Sequence, residues 1–426
     1  MIAARAFAGK RYAVFGLART GLSVVASLRA SGAEVAAWDD NEAARAAAGD
    51  LDFVDLNSAE LAGFDALVVS PGVPLNTHPL AQRARAAGVP VIGDIELFAQ
   101  ARPELPAHKV VAITGTNGKS TTTALIHHLI TSTGRPARLG GNIGLPILGQ
   151  EPLPDGGVYV LELSSFQIDL TQSLDCDVAV LLNITPDHLD RYDGFEGYAA
   201  SKARLFAMQS LAHAAIVSRE TEASRRIGEA LGGRATFVGA ADVTDQSAWP
   251  ALQGPHNAEN VAAARAAVRA LGLTEAEIEA GLQTYPGLPH RMERVAEKRG
   301  VLYVNDSKAT NPTSTAPALA AYPAIHWIVG GLNKTDELDA CLPHLGHVRA
   351  AYVIGKAADL YERILSDRGL RVVHGESVAQ ATRLAADAAE KGEVVLLSPA
   401  CASYDQFKDF EARGAAFREA VGGLPS

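Results

Sequence analysis

Three α/β domains in series, each on a mostly parallel sheet, are expected of this sequence. Short β-branched runs alternate with amphipathic helical segments almost throughout, a rhythm that implies parallel strands with helices on both faces. The 426 residues correspond to about three domains at roughly 150 residues each. Proline-rich stretches at 101–109 and 286–291 interrupt the rhythm, giving domains near 1–95, 96–287 and 288–426.

Residues 12–16 (YAVFG) read as the opening strand and 21–32 as its helix. Strands follow in EVAAWDD, ALVVSPG and VPVIG, each ending in turn residues. The connector ARPELPAHK (101–109) leads to a second block. There VVAITG is a strand, 119–134 a helix, and VYVLELSS and VAVLLNIT are further strands. Helix YAASKARLFAMQ, strand AAIVS and alanine-rich helices at 257–271 and 274–284 complete that block. The last one carries strands VLYVND, AIHWIVGG, AAYVIG, RVVHG and EVVLLSPA, separated by helices.

Composition narrows the function classes. Hydrophobic residues make up 48% of the chain and charged ones 20%, enough to bury a sizeable core, so global disorder is excluded. With 38 Lys and Arg against 48 Asp and Glu, the net charge is −10, the wrong sign for a general nucleic-acid binder. An anionic ligand must be held by local cations or backbone N–H groups. Cys176, Cys341 and Cys401 are widely spaced and form no CxxC, which fits a reducing cytoplasm rather than a disulfide framework or zinc site. No apolar run reaches the roughly 18 residues of a membrane span, and the first residues lack an apolar stretch of signal-peptide length.

The strongest local signal is VVAITGTNGKSTTTALI (110–126). A strand ends at Thr114, a glycine-rich turn follows, and a helix opens near Lys119. Backbone N–H groups of such a turn converge on phosphate oxygens, aided by the helix N-terminus. Lys119 is placed to reach β- and γ-phosphates and the Ser120 hydroxyl to ligate Mg²⁺. The loop is a variant, because Ile113 stands where the first glycine is usual and Gly115 supplies the turn. A Rossmann-like turn, Gly16–Gly21, follows the first strand. Ala18 stands where a glycine would let a pyrophosphate approach, which disfavours NAD. Asp39 and Asp40, ending the second strand, suit either a ribose or a helix cap.

Glu162 ends one strand of the phosphate-loop domain, and Asp187, His188 and Asp190 follow the next. Ligands of open α/β sheets gather outside the carboxyl ends of strands, so Glu162 and His188 are candidates to hold Mg²⁺ beside the loop. Alone, Glu162 reads equally well as a hydrogen-bonded structural residue, and His188 reads better as a satisfied interior histidine; their placement after adjacent strands beside the loop favours the ligand reading. By composition Lys202 is a surface lysine. His127 and His128 are consecutive, point to different helix faces and read as structural. In the last block NDSKATNPTST, GGLNKTDE and SPACASYDQFKDF each follow a strand, so three polar loops share one rim.

Taken in order, TGTNGKST (114–121), GGNIG (140–144), ELSSFQ (162–167), DHLDRY (187–192), Lys202, HNAEN (256–260), HR (290–291), NDSKATN (305–311), GGLNK (330–334) and SPACAS (398–403) resemble the Mur ligases of bacterial cell-wall synthesis, nearly end to end. Sister members carry an Asp-Tyr-x-His motif where this chain has Asn305–Lys308. The phosphate loop is shared with folylpolyglutamate synthase, the alternative ligase.

The resemblance implies an ATP-dependent, amide-forming ligase that joins D-glutamate to UDP-N-acetylmuramoyl-L-alanine through an acyl phosphate. It implies a cytoplasmic monomer acting on small molecules, with no nucleic acid and no membrane. The uridine diphosphate end falls to Arg19, Thr20, Asp39, Asp40, Ser70, Pro71, Gly72 and Asn142. ATP falls to Gly115, Thr116, Asn117, Gly118, Lys119, Ser120 and Thr121, with Asn257, Asn260, Arg291, Asp306 and Lys308. The amino acid falls to Thr310, Lys334, Ser403 and Phe410. Ser120, Glu162, His188 and Lys202 would hold two Mg²⁺ ions, Lys202 after carbamylation by CO₂. Lys119, His188 and Lys202 are the residues expected to act on the reacting groups.

Overall fold

The computed structural model describes every residue except Asp50, Lys334 and Ser426, so the amino-acid contact expected of Lys334 lies outside the described residues. The first sheet is wholly parallel, in the order β2-β1-β3-β4, from strands Arg11–Phe15 (β1), Glu34–Trp38 (β2), Ala66–Val69 (β3) and Val91–Ile92 (β4). The second, also parallel, runs β10-β9-β8-β5-β7-β6. Its strands are His108–Thr114 (β5), Ala137–Gly141 (β6), Gly157–Glu162 (β7), Val178–Leu181 (β8), Ala214–Ser218 (β9) and Ala235–Val238 (β10).

The third sheet is ordered β11-β12-β16-β13-β14-β15. It comprises Glu293–Lys298 (β11), Val301–Asn305 (β12), Ile325–Gly330 (β13), Val348–Ile354 (β14), Val372–His374 (β15) and Val394–Leu397 (β16). Only β11 is antiparallel in it. The chain packs as two compact units. One holds 1–243 and 259–282, with the first two sheets, and the other holds 244–258 and 283–426.

The central strands are apolar because both their faces are covered. In β5, Val110 to Thr114 are all buried, as are all of β7 and β8. Each fully buried Val, Leu or Ile contributes about 1.5–3 kcal/mol relative to exposure. The strands missed by the pattern lie at edges. β6, β10 and β11 are short or half-exposed, and β11 (ERVAEK) carries the charges that protect an edge from pairing with another chain.

The stretch 158–165 does not stay extended to its end. The Ser164 side chain accepts from the Gln167 N–H while Gln167 Oε1 accepts from the Ser164 N–H, and this capping box opens helix Ser165–Asp169. The connector 101–109 likewise holds a 3₁₀ turn at Arg102–Glu104, and its last two residues already belong to β5.

Within the first unit, helix Asp94–Ala101 links the two sheets. Gly93 N–H donates to Leu170 O, and Glu96 accepts from the N–H groups of Gln172 (2.7 Å) and Ser173 (2.9 Å). All three cysteines are buried and free. No helix among the described residues is long and apolar enough to cross a membrane.

Candidate active site

Strand β5 lies between β7 and β8, with Ile113 opposite Glu162 and Thr114 opposite Leu181. The chain reverses its direction of travel across the sheet here, the kind of crevice in which open α/β sheets take ligands. The turn after β5 is shaped by two glycines. Gly115, at φ +150°, passes so close to β8 that a Cβ would lie 2.8 Å from Leu182 Cβ, and Gly118, at φ +84°, would drive a Cβ into Asn260 Oδ1. Helix Lys119–Ser132 starts directly behind it.

Asn183, two residues after β8, braces the turn. Its backbone carbonyl accepts from Thr116 N–H (2.7 Å) and its side-chain carbonyl from Asn117 N–H (2.9 Å). Its amide in turn donates to Glu259, whose other contact is Ser218 Oγ at 2.7 Å. Lys119 Nζ curls back to donate to Gly115 O (3.1 Å) and Thr116 O (2.8 Å). Ser120 and Thr121 are buried in the first helical turn, and Asn260 Oδ1 accepts from Thr122 Oγ1.

Two side chains, Tyr198 and Lys202, reach this turn. Lys202 is only 1% exposed, so the surface reading of that residue is corrected. Its Nζ donates to Gly115 O at 2.9 Å and sits 4.5 Å from the Tyr198 ring centroid, one helical turn earlier. Burial first, and the neighbouring Lys119 charge second, push its pKa well below the ordinary lysine value, against the opposing pull of Asp187 and Asp169. Tyr198 in turn shares a hydrogen bond with Thr116 Oγ1 at 3.2 Å.

Glu162 is 2% exposed. Its Oε1 accepts from Asn142 Nδ2 at 2.9 Å, and its Oε2 is buried with no hydrogen-bond partner. A buried carboxylate oxygen left unpaired is costly, and a cation is what would satisfy it. His188 follows β8 in a left-handed backbone conformation, φ +51°, with its ring 5.0 Å from Phe166 and 6.5 Å from Tyr198.

The first sheet carries a second cluster. Gly16, at φ +96°, meets Ser70, whose Oγ donates to Gly16 O at 3.0 Å. Ala18 has φ −69°, which any residue adopts, so the missing glycine costs the turn nothing. The Asp39 carboxylate accepts from Leu17 N–H (2.6 Å) and Asn41 N–H (2.8 Å) and so fixes the turn. The cap of the following helix is Asn41. Asp40 accepts from Trp38 Nε1 and Asn57 Nδ2. Thr20 lies in the first turn of helix Arg19–Ala30, and Arg19 reaches across to Gly144 O, in the turn that follows Asn142. Pro71 and Gly72 complete the turn after Ser70.

The second unit gathers the loops after β12 and β16. Lys308 Nζ lies 4.9 Å from the Phe410 ring centroid, Ser307 Oγ donates to Phe410 O, and Ser403 is buried. Thr310 is half-buried in the turn before helix Pro312–Ala320. Arg291 keeps a buried Nε with no hydrogen-bond partner, and Asn257 Nδ2 donates to Gln253 O. Arg413, unmarked by any sequence motif, is the hub: its buried guanidinium donates to Ser307 Oγ, Ser307 O, Cys401 O and Ala402 O.

Asp306 is fully enclosed, accepting from Ser398 Oγ and Met292 N–H, and burial pushes its pKa up to about 7. From the unfolded value of about 4 up to 7, the folded chain keeps a proton that the unfolded chain has lost. The group's contribution to stability therefore falls as pH rises through that window. Asp306→Asn should raise the unfolding midpoint by a few degrees at pH 8 relative to the parent and by much less at pH 4, as read by calorimetry.

Family models match the chain in three places: a Mur ligase MurD-like N-terminal domain over 10–93, a Mur ligase middle domain over 113–248, and a Mur ligase glutamate ligase domain over 290–401. The chain is 60% identical to the UDP-N-acetylmuramoylalanine–D-glutamate ligase of Novosphingobium aromaticivorans, across 100% of this chain and 97% of that one. It is 52% identical to the protein of that name from Zymomonas mobilis, across the whole of both.

The chain belongs to the Mur ligase family.

Solved structures share the Mur ligase fold at lower identity. The MurC ligase of Thermotoga maritima superposes with a TM-score of 0.60 at 16% identity, covering 97% of this chain and 99% of that one. FolC of E. coli, solved with DHPP and ADP, reaches 0.56 at 21% identity, covering 78% and 93%. These likenesses speak to fold alone. In this Mur ligase, the sequence reading overlooked Asn183 and Tyr198. Both had a readable signal: Asn183 is the polar residue closing an apolar strand beside the phosphate loop, and Tyr198 precedes Lys202 by four residues on the same helix face.

Proposed function

We propose that this Mur ligase joins D-glutamate to the L-alanine carboxylate of UDP-N-acetylmuramoyl-L-alanine, consuming ATP, in the cytoplasmic stage of peptidoglycan synthesis. The observation that carries the reading is identity of 52–60%, over the whole chain, to proteins bearing that activity in their name. The phosphate loop with Lys119, the buried Glu162 and the buried Lys202 supply chemistry that suits it. Folylpolyglutamate synthesis is favoured by nothing beyond the shared fold.

In the proposed reaction the substrate carboxylate attacks the γ-phosphate of ATP, giving an acyl phosphate and ADP. The amine of D-glutamate then attacks the acyl carbon, and inorganic phosphate leaves as the amide forms. Loop N–H groups and Lys119 stabilise charge that concentrates on the transferring phosphoryl oxygens. Asn183, held in turn by Glu259, accepts from the Thr116 and Asn117 N–H groups and so fixes the shape of the loop.

The fit to Mg²⁺ rests on Glu162 Oε2, a buried oxygen in need of a cation, and Ser120 and His188 would offer further ligand atoms. Bound Mg²⁺ would supply charge neutralisation at the phosphates. Lys202, held towards its neutral amine, is suited to add CO₂ and become a carbamate, a further anionic ligand. Two ions are the expected number.

The uridine diphosphate end is assigned to the cluster around Gly16, Ser70–Gly72 and Asp40. D-Glutamate is assigned to Thr310, Ser403 and Phe410, with Lys334. The domain division at 1–95, 96–287 and 288–426 corresponds to those three tasks. On this reading the enzyme acts as a monomer on small-molecule substrates. Mass spectrometry of the UDP-sugar after incubation with ATP, Mg²⁺ and D-glutamate tests the reading: the product should gain one glutamate residue, and an unchanged UDP-sugar would reject it.

A further inference from the structure

Arg191 touches three things at once. Its guanidinium lies 4.2 Å from the Phe166 ring centroid, its NH2 donates to Val73 O at 2.9 Å, and its backbone N–H donates to His188 O at 2.9 Å. Val73 directly follows the turn Ser70–Pro71–Gly72 and closes it by donating to Ser70 O. Phe166 in turn packs edge-on against the His188 ring, with centroids 5.0 Å apart. A second link runs beside the first, from Asn76 Nδ2 to Asp190 O at 3.0 Å.

These contacts matter because His188 does not hold its shape unaided. A histidine at φ +51° persists only where its surroundings over-determine it. Close packing does not provide that support on the Arg191 side. A cavity of about 750 Å³ opens there, with Val73, Phe166, Arg191 and Tyr192 in its wall. What fixes the turn is therefore the short list of directed contacts, with Arg191 at their centre.

We infer that Arg191 is a positioning residue that clasps the His188 turn to the 70–76 loop, so that filling the nucleotide-diphosphate end of the site orders the residue beside the phosphate loop. The inference rests on the reading of Ser70–Gly72 as part of the uridine diphosphate site. Arginine suits the task because a flat guanidinium stacks on a ring and donates in its own plane at the same time, which a lysine ammonium does not.

Hydrogen exchange on the full chain, with UDP alone as the probe, tests it. In the parent protein UDP should slow amide exchange at 70–76 and also at 187–192, the latter by about fivefold or more, a typical size for coupled sites. In Arg191→Ala and Arg191→Lys the protection at 70–76 should remain while that at 187–192 falls below about twofold; Asn76→Ala should fall between. The concentration of Mg²⁺ that half-activates the reaction should rise in the Arg191 variants while KM for ATP stays near the parent value.

Equal protection at 187–192 in the parent and the Arg191 variants overturns the clasp, as does parent protection confined to 70–76. Absence of protection at 70–76 in the parent would instead reject the nucleotide assignment, and the clasp with it. Should Arg191→Ala fail to fold, Arg191→Lys and Asn76→Ala carry the comparison.

Discussion

Lys119→Ala should lower ATP-dependent amide formation by roughly a thousandfold or more, the scale set by removing a cation from a transferring phosphoryl group. That corresponds to about 4 kcal/mol of lost transition-state stabilisation. The expectation follows from position. Lys119 opens the helix behind the phosphate turn, and its ammonium rests on two carbonyls of that turn, Gly115 O and Thr116 O, as a charge parked beside its target. Lys119→Arg should not restore the rate, because the larger planar group has to fit where a compact ammonium now sits. Single-turnover measurement of ADP formation separates this loss from weaker ATP binding. A rate near that of the parent would remove the loop from the chemistry.

Lys202→Ala should cost about a hundredfold or more in rate, and short carboxylates such as formate or acetate should restore part of it. Lys202 is buried, and its Nζ donates to a carbonyl of the phosphate loop. Its depressed pKa favours the neutral amine, the form able to add CO₂. A carboxylate supplied in solution stands in for the carbamate only if the side chain acts as an anion. Full activity without rescue would show that Lys202 serves packing alone. A loss that formate and acetate leave untouched would keep the side chain essential while removing the carbamate.

Much of this was legible in the sequence, for physical reasons. Central strands such as β5, β7 and β8 announce themselves because burial on both faces demands unbroken apolar runs. The turn at 115–118 is legible because its glycines occupy conformations and approaches that a side chain would block. Edge strands escape because exposure removes the pattern: β10 (ATFV) and β11 (ERVAEK) read as loop. Lys202 shows the limit of composition. A lysine is a surface residue on average, and only its fold neighbours, Tyr198, Gly115 and Lys119, make it a buried one.

Two further residues show that limit from the other side. Arg413 was invisible for a related reason, since three of its four partners are backbone carbonyls, which have no sequence signature. Asp39 shows an ambiguity that sequence leaves open: a carboxylate after a strand suits a ribose or a helix cap, and here it accepts from two backbone N–H groups while Asn41 caps the helix.

The most direct test of the central claim is phosphate release from ATP and Mg²⁺ with UDP-N-acetylmuramoyl-L-alanine, compared across D-glutamate, L-glutamate and no amino acid. Release that requires D-glutamate, and stays at background with the other two, is the result expected of this chain. Release that is the same with L-glutamate, or that needs no amino acid, would contradict it.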